Sequence, residues 1–148
     1  MPAHKVNSSF EGKLSLVWDP LDDYTFTLGY HSVSTNTMSG TLEVKGGTFA
    51  VKGGAQFTAL SGITVRNGAT FSLEDCQNAN PLLSPLPIAF ETGAKIKIPS
   101  GITLLASVIK LDGNPVLEAR TYTSATCDWI EGDGSVVYRP VMNDVNVK

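Results

Sequence analysis

Two histidines, His4 and His31, two cysteines, Cys76 and Cys127, and three groups of carboxylates are the residues of this chain whose types could do chemistry. Both histidines lie near the start, and no serine sits in a strand-turn-helix nucleophile elbow, so a Ser/His mechanism has no parts to work with. The cysteines are separated by 50 intervening residues and stand far from both histidines, a spacing from which no metal motif can be built. Two readings of the pair stay open. In an oxidising compartment a Cys76–Cys127 disulfide would constrain the unfolded chain by about 3–5 kcal/mol in the entropic account, and otherwise both are unpaired thiols on turns. The carboxylates fall into Asp19, Asp22 and Asp23; Glu74 and Asp75; and Asp128, Glu131 and Asp133. Such clusters can bind calcium or work as acid and base on sugars. All three groups nonetheless occupy turns, where Asp is favoured because it hydrogen-bonds its own backbone. No catalytic, metal or cofactor residue is therefore assigned.

Aromatic residues are the better candidates for contact with a ligand or partner. Trp18, Tyr24 and Tyr30, together with Phe26, lie on two N-terminal strands, and alternation buries about half of such a set by default. Trp129, followed by Ile130, suits a cover over the apolar end of the fold, with a ligand platform as the other reading. Lys45, Lys52, Lys95 and Lys97 alternate with apolar positions and predict a mildly charged outer face, with Glu43 and Glu91 near them. Gly46-Gly47 and Gly53-Gly54 stand between strands and lead into no helix N-terminus, so they are turn glycines and no phosphate loop is present. Asn7-Ser8-Ser9 matches a glycosylation sequon, a pattern too common to carry weight.

The elements that must position these residues are β-strands. Of 148 residues, 34 are Val, Ile or Thr and only 14 are Glu or Lys, a bias away from helices. No eleven-residue window keeps a helical apolar spacing free of glycine or proline. The net charge of −3, with no cluster of Lys and Arg among aromatics, leaves no footprint for nucleic acid. The longest apolar-leaning run, residues 102–109, is far short of the roughly 18 residues of a membrane span.

From Gly40 onward short alternating runs are punctuated by glycine: 41–44, 48–51, 56–59, 62–65 and 70–73, with Val44, Val51, Ala59, Val65 and Leu73 as the last inward residue of each. Isolated four-residue hairpins bury little, whereas three such runs closing a coil of roughly 22 residues give every strand two parallel neighbours. The expected fold is thus all-β, a short parallel β-helix (solenoid). Three prolines break residues 74–87 into a loop, after which the texture returns at 88–90, 95–98, 102–104 and 108–111. Residues 1–39 form an N-terminal β-strand cap or seam, 40–138 the solenoid domain, and 139–148 a tail or strand.

The block from Ile98-Pro99-Ser100-Gly101-Ile102-Thr103-Leu104 through Leu111-Asp112-Gly113-Asn114-Pro115 and Arg120-Thr121-Tyr122 to Trp129-Ile130-Glu131-Gly132-Asp133-Gly134-Ser135-Val136-Val137 resembles the end of the solenoid in autotransporter-like, pectin-lyase-like secreted bacterial proteins. Arg120 stands where that pattern has glycine. The resemblance covers roughly residues 40–138 and implies a right-handed parallel β-helix, export to the extracellular space or cell surface, and passive roles without catalytic residues. Residues 1–10 hold no apolar signal-peptide core, so a secreted origin requires a signal already removed or an excised segment, and the expected location rests on that resemblance. The expected function is a non-catalytic structural, adhesive or assembly module that associates with other domains or with copies of itself through strand edges or solenoid ends. The alternatives are a carbohydrate-binding module or a fragment of a polysaccharide lyase or hydrolase, acting on surface glycans.

Overall fold

A computed structural model describes residues 3–6, 10–28, 34–53, 55–74, 85–116, 118 and 120–139. The chain climbs through β1 (Ala3–Val6), β2 (Leu16–Trp18), β3 (Thr25–Leu28) and β4 (Ser34–Asn36), then β5 (Thr41–Val44), β6 (Thr48–Lys52) and β7 (Ala55–Phe57). It continues through β8 (Gly62–Val65), β9 (Thr70–Glu74), β10 (Leu86–Phe90), β11 (Lys95–Lys97) and the long β12 (Thr103–Leu111). Last come β13 (Asn114–Pro115), β14 (Thr121–Tyr122), β15 (Ile130–Glu131) and β16 (Ser135–Tyr138). No helix occurs among the described residues.

Successive strands meet in parallel ladders, and the chain is a β-solenoid. One six-stranded sheet runs β1-β3-β6-β9-β11-β15, a second of eight strands runs β14-β16-β12-β10-β8-β5-β2, and β4 pairs β7 on the third side. Thr25 lies opposite Thr48 and Thr48 opposite Thr70, so one coil takes 23 and then 22 residues. The coil length is the one that the spacing of glycine turns implies.

Apolar residues at alternate positions make the core. Leu42, Ile63, Ile88 and Ile109 stack in register on the second sheet, all buried. On the first sheet Phe26, Phe49 and Phe71 stack with centroids 5.0 and 6.3 Å apart and rings 15° and 13° from parallel. Each buried side chain contributes roughly 1.5–3 kcal/mol of transfer free energy, and each aromatic pair about 0.5–1.5 kcal/mol more. Side chains repeat because the coil places chemically similar positions one above another.

Three expectations shift in detail. Ala59 is exposed, and the strand on the third side ends at Phe57. Residues 103–104 and 108–111 are parts of the single strand β12, which begins after Ile102 and whose register against β10 slips by one residue between Leu86 and Pro87, leaving Ser107 as the bulged residue. The N-terminal strands cover their end of the stack as rungs of the same ladders, since β1 pairs β3 and β2 pairs β5, both parallel. Within the Pro-rich segment, residues 75–84 lie outside the described residues, as does the C-terminal tail from 140.

The opposite end is built differently. Asp112 (φ 52°) and Gly113 (φ 82°) are both left-handed, the requirement of a two-residue type I′ hairpin, and they turn β12 antiparallel into β13. The chain leaves the coil here and returns at Trp129. The last parallel strand of the second sheet, β16, is covered by β14 running antiparallel, so the parallel order stops.

Candidate functional site

One corner of the coil gathers the charges. Trp18, Val44, Val65, Phe90 and Leu111 are consecutive partners on the second sheet, so the residues after them form the next column: Asp19, Lys45, Arg66, Glu91 and Asp112. Their amides extend the ladder, with Lys45, Arg66, Glu91 and Asp112 donating to the carbonyls of Trp18, Val44, Val65 and Phe90. The strands therefore fix the spacing of the charges.

Within this column Arg66 joins three coils. Its Nε donates to Glu43 Oε2 at 2.7 Å on the preceding coil, and Nη1 donates to Glu91 Oε2 at 2.9 Å on the next. These two carboxylates raise the guanidinium pKa further above its usual value. The other oxygen of Glu91 accepts the Asn67 amide at 2.9 Å, and Asp112 repeats that device by accepting both the amide (2.8 Å) and the hydroxyl of Thr92. The Asn67 amide and then Arg66 hold the Glu91 pKa below its ordinary value, against some opposition from Asp112; the Thr92 hydroxyl and amide do the same for Asp112. Both acids are kept ionised, the opposite of the raised pKa that a general acid needs on a sugar substrate.

Beside the column lies an open groove of about 590 Å³ lined by Thr64, Arg66, Ala89, Thr92, Lys110 and Asp112 among others. Arg66 is clamped by its two carboxylates and Asp112 by Thr92, which leaves Thr64, Asn67 and Lys110 as side chains of the groove with no such tie among the described residues. Among the described residues no three His, Cys, Asp or Glu side chains come close enough to hold a metal.

The candidate contact residues are not brought together. Trp18 and Tyr24 are half-buried at the N-terminal end, where Trp18 packs against Phe26 with centroids 5.5 Å apart. Trp129 is at the other end, 8% exposed, stacked on Phe90 at 4.6 Å and tilted against Tyr122 at 5.8 Å. Tyr30 lies outside the described residues. Cys127 carries a free, half-buried thiol 3.7 Å from Thr126 Oγ1, and its suggested partner Cys76 also lies outside the described residues. Arg120 takes the place of glycine without strain, because its φ is not positive; its guanidinium sits 4.8 Å from the Tyr122 centroid.

The carboxylates of the turns are mostly exposed, and Lys45 reaches Asp19 at 3.8 Å. Glu43 and Glu91, expected beside the lysines, instead serve Arg66, which sequence reasoning missed. The signal was the coil period itself, since Glu43, Arg66 and Glu91 follow one another at 23 and 25 residues. Asn36 was missed too. Fully buried, it accepts the Phe10 amide at 2.8 Å and donates to the Gln56 carbonyl at 3.1 Å, tying two coils on the third side. Comparison with known proteins finds no matching family model, no matching curated protein and no matching solved structure.

Proposed function

We propose that this chain is a non-catalytic structural module of a secreted or cell-surface bacterial protein, whose work is to hold a rigid stack of coils and to present its faces and ends for adhesion or assembly. The observation that carries this reading is where the corner charges go. Glu43, Arg66 and Glu91 bind coil to coil, and Asp112 closes on Thr92, so these groups are spent inside the scaffold. Export and a cell-surface setting rest on the resemblance of the 98–137 block alone.

The groove beside the column favours a second reading, a carbohydrate-binding module, with Lys110 and Thr64 as the groups open to a sugar. A glycan array and a reducing-sugar assay separate the two. The structural module binds no glycan and releases no sugar, while Arg66→Ala lowers its thermal stability. Glycan binding that disappears in Lys110→Ala, with stability unchanged, would establish the second reading and remove the first.

A further inference from the structure

Successive coils turn the corner between the second sheet and the first with a left-handed glycine: Gly47 (φ 57°), Gly68 (φ 82°) and Gly93 (φ 89°). Between β8 and β9 the Ala69 amide donates to the Arg66 carbonyl at 2.9 Å, and Asn67 is not left-handed, so residues 66–69 form a type II turn, which needs glycine at its third position. One coil on, the Ala94 amide donates to the Glu91 carbonyl at 2.9 Å and Thr92-Gly93 makes the same turn. The two turns differ in the residue before the glycine, and in the first it is an asparagine.

Asn67 and Gly68 are both exposed. The Asn67 carboxamide makes no side-chain hydrogen bond among the described residues and lies against Gly93, where a Cβ would collide with Asn67 Oδ1. The Gly68 amide reaches the Gly93 carbonyl only at 3.3 Å, beyond the usual range, and nothing lies within 4 Å of where a Gly68 Cβ would be. Neither a side chain of its own nor a neighbour therefore shields the Gly68 nitrogen from Asn67 Cγ. Comparable positions are protected. Asn36 is fully buried with its amide tied at both ends, and Asn114 precedes Pro115, which has no N–H. The Asp112 carboxylate, before Gly113, is held ionised by the amide and hydroxyl of Thr92, and a carboxylate resists attack by an amide nitrogen. Gly134, after Asp133, is buried and donates to the Ile98 carbonyl at 2.9 Å.

We infer that Asn67-Gly68 is a self-modification site at which the folded scaffold ages. The Gly68 nitrogen gives its proton to water and bonds to Asn67 Cγ; the Cγ–Nδ2 bond breaks, and the amide group takes a proton from water and leaves as ammonia. Water then opens the succinimide ring at one of its two carbonyls, which leaves either aspartate or isoaspartate, the latter with the chain running through Cβ and Cγ. The net change is one water consumed and one ammonia released, with no redox step. Both products act on the charge column, because Glu91 Oε1 accepts the Asn67 amide at 2.9 Å. A new carboxylate is built on the residue that anchors Glu91, and isoaspartate also lengthens the turn by one carbon between Arg66 and Ala69. The turn's demand for a positive φ at Gly68 keeps the unshielded nitrogen in place. This goes beyond the structural reading above and does not depend on it.

The test holds the full chain, folded, in mildly alkaline buffer at physiological temperature, with a parallel sample in urea. Peptide mapping by mass spectrometry and isoaspartyl methyltransferase labelling follow each site. Asn67 of the folded protein is expected to convert at a rate within about tenfold of the unfolded chain, since opening an exposed turn costs little free energy. Asp112 and Asp133 should isomerise only in urea. The aged protein should melt at a lower temperature than the fresh one. Asn67→Gln, whose longer side chain would have to close a larger ring, should neither convert nor lose melting temperature over the same period. Asn67 that stays intact in the folded protein but converts in urea overturns the inference, as does conversion at Asp112 or Asp133 as fast as at Asn67, or a converted protein with unchanged melting. None of these outcomes bears on the glycan and sugar-release assays, so the structural reading stands or falls separately.

Discussion

Gly47 shows how a single position can be fixed by the coil. Its φ is 57°, and a Cβ there would collide with the Tyr24 carbonyl oxygen, which accepts the Thr48 amide at 2.9 Å. Gly47→Ala combines left-handed strain with a backbone collision, and should cost at least about 2 kcal/mol in urea unfolding. A loss under 0.5 kcal/mol, the usual size for an innocuous surface change, would mean that the corner can relax. Gly113 is also left-handed but faces open space, so Gly113→Ala should cost less, about 1 kcal/mol. Glu91 and Asp112 make a residue-scale prediction with a sign. Their folded pKa values are lowered, so the stability they contribute is present above the ordinary carboxylate range and is lost as pH falls through the folded values. Melting temperature should therefore drop below about pH 5. The drop should be shallower in Glu91→Gln with Asp112→Asn, and parallel curves for variant and wild type would show that these carboxylates do not anchor the corner.

Individual strands are short, and the columns they build carry the stability. Phe49 is 2% exposed and has a ring on either side, Phe26 and Phe71, whereas Phe26 is only half-buried near the end of the column. Phe49→Ala should destabilise by about 3–5 kcal/mol. Phe26→Ala should cost clearly less, and equal losses would contradict the column as the unit of packing. Strands 41–44, 48–52, 62–65 and 70–74 were legible because alternation with glycine turns is a local signal. So was the coil, because its period can be counted. Less legible was anything that depends on which residues meet across coils. The partners of Arg66 are 23 and 25 residues away, and they can be found only after the register is known. Asn36 reads as one more polar residue until β4 is placed beside β7. β12 reads as two runs because its bulge at Ser107 interrupts the period of two.

At the scale of the molecule, a stack whose coils touch only their neighbours has an uneven distribution of stability. β1 and β2 each have one partner strand, while β6, β8 and β9 have two, and the far end gains β14 and the buried Trp129. Opening should therefore start at the N-terminal coil. In hydrogen exchange of dilute protein, the amides of residues 3–6 and 16–18 should exchange fastest among the strands, those of 48–52 and 62–74 slowest, and those of 130–138 in between. Uniform protection along the chain would indicate one cooperative unit and defeat this gradient.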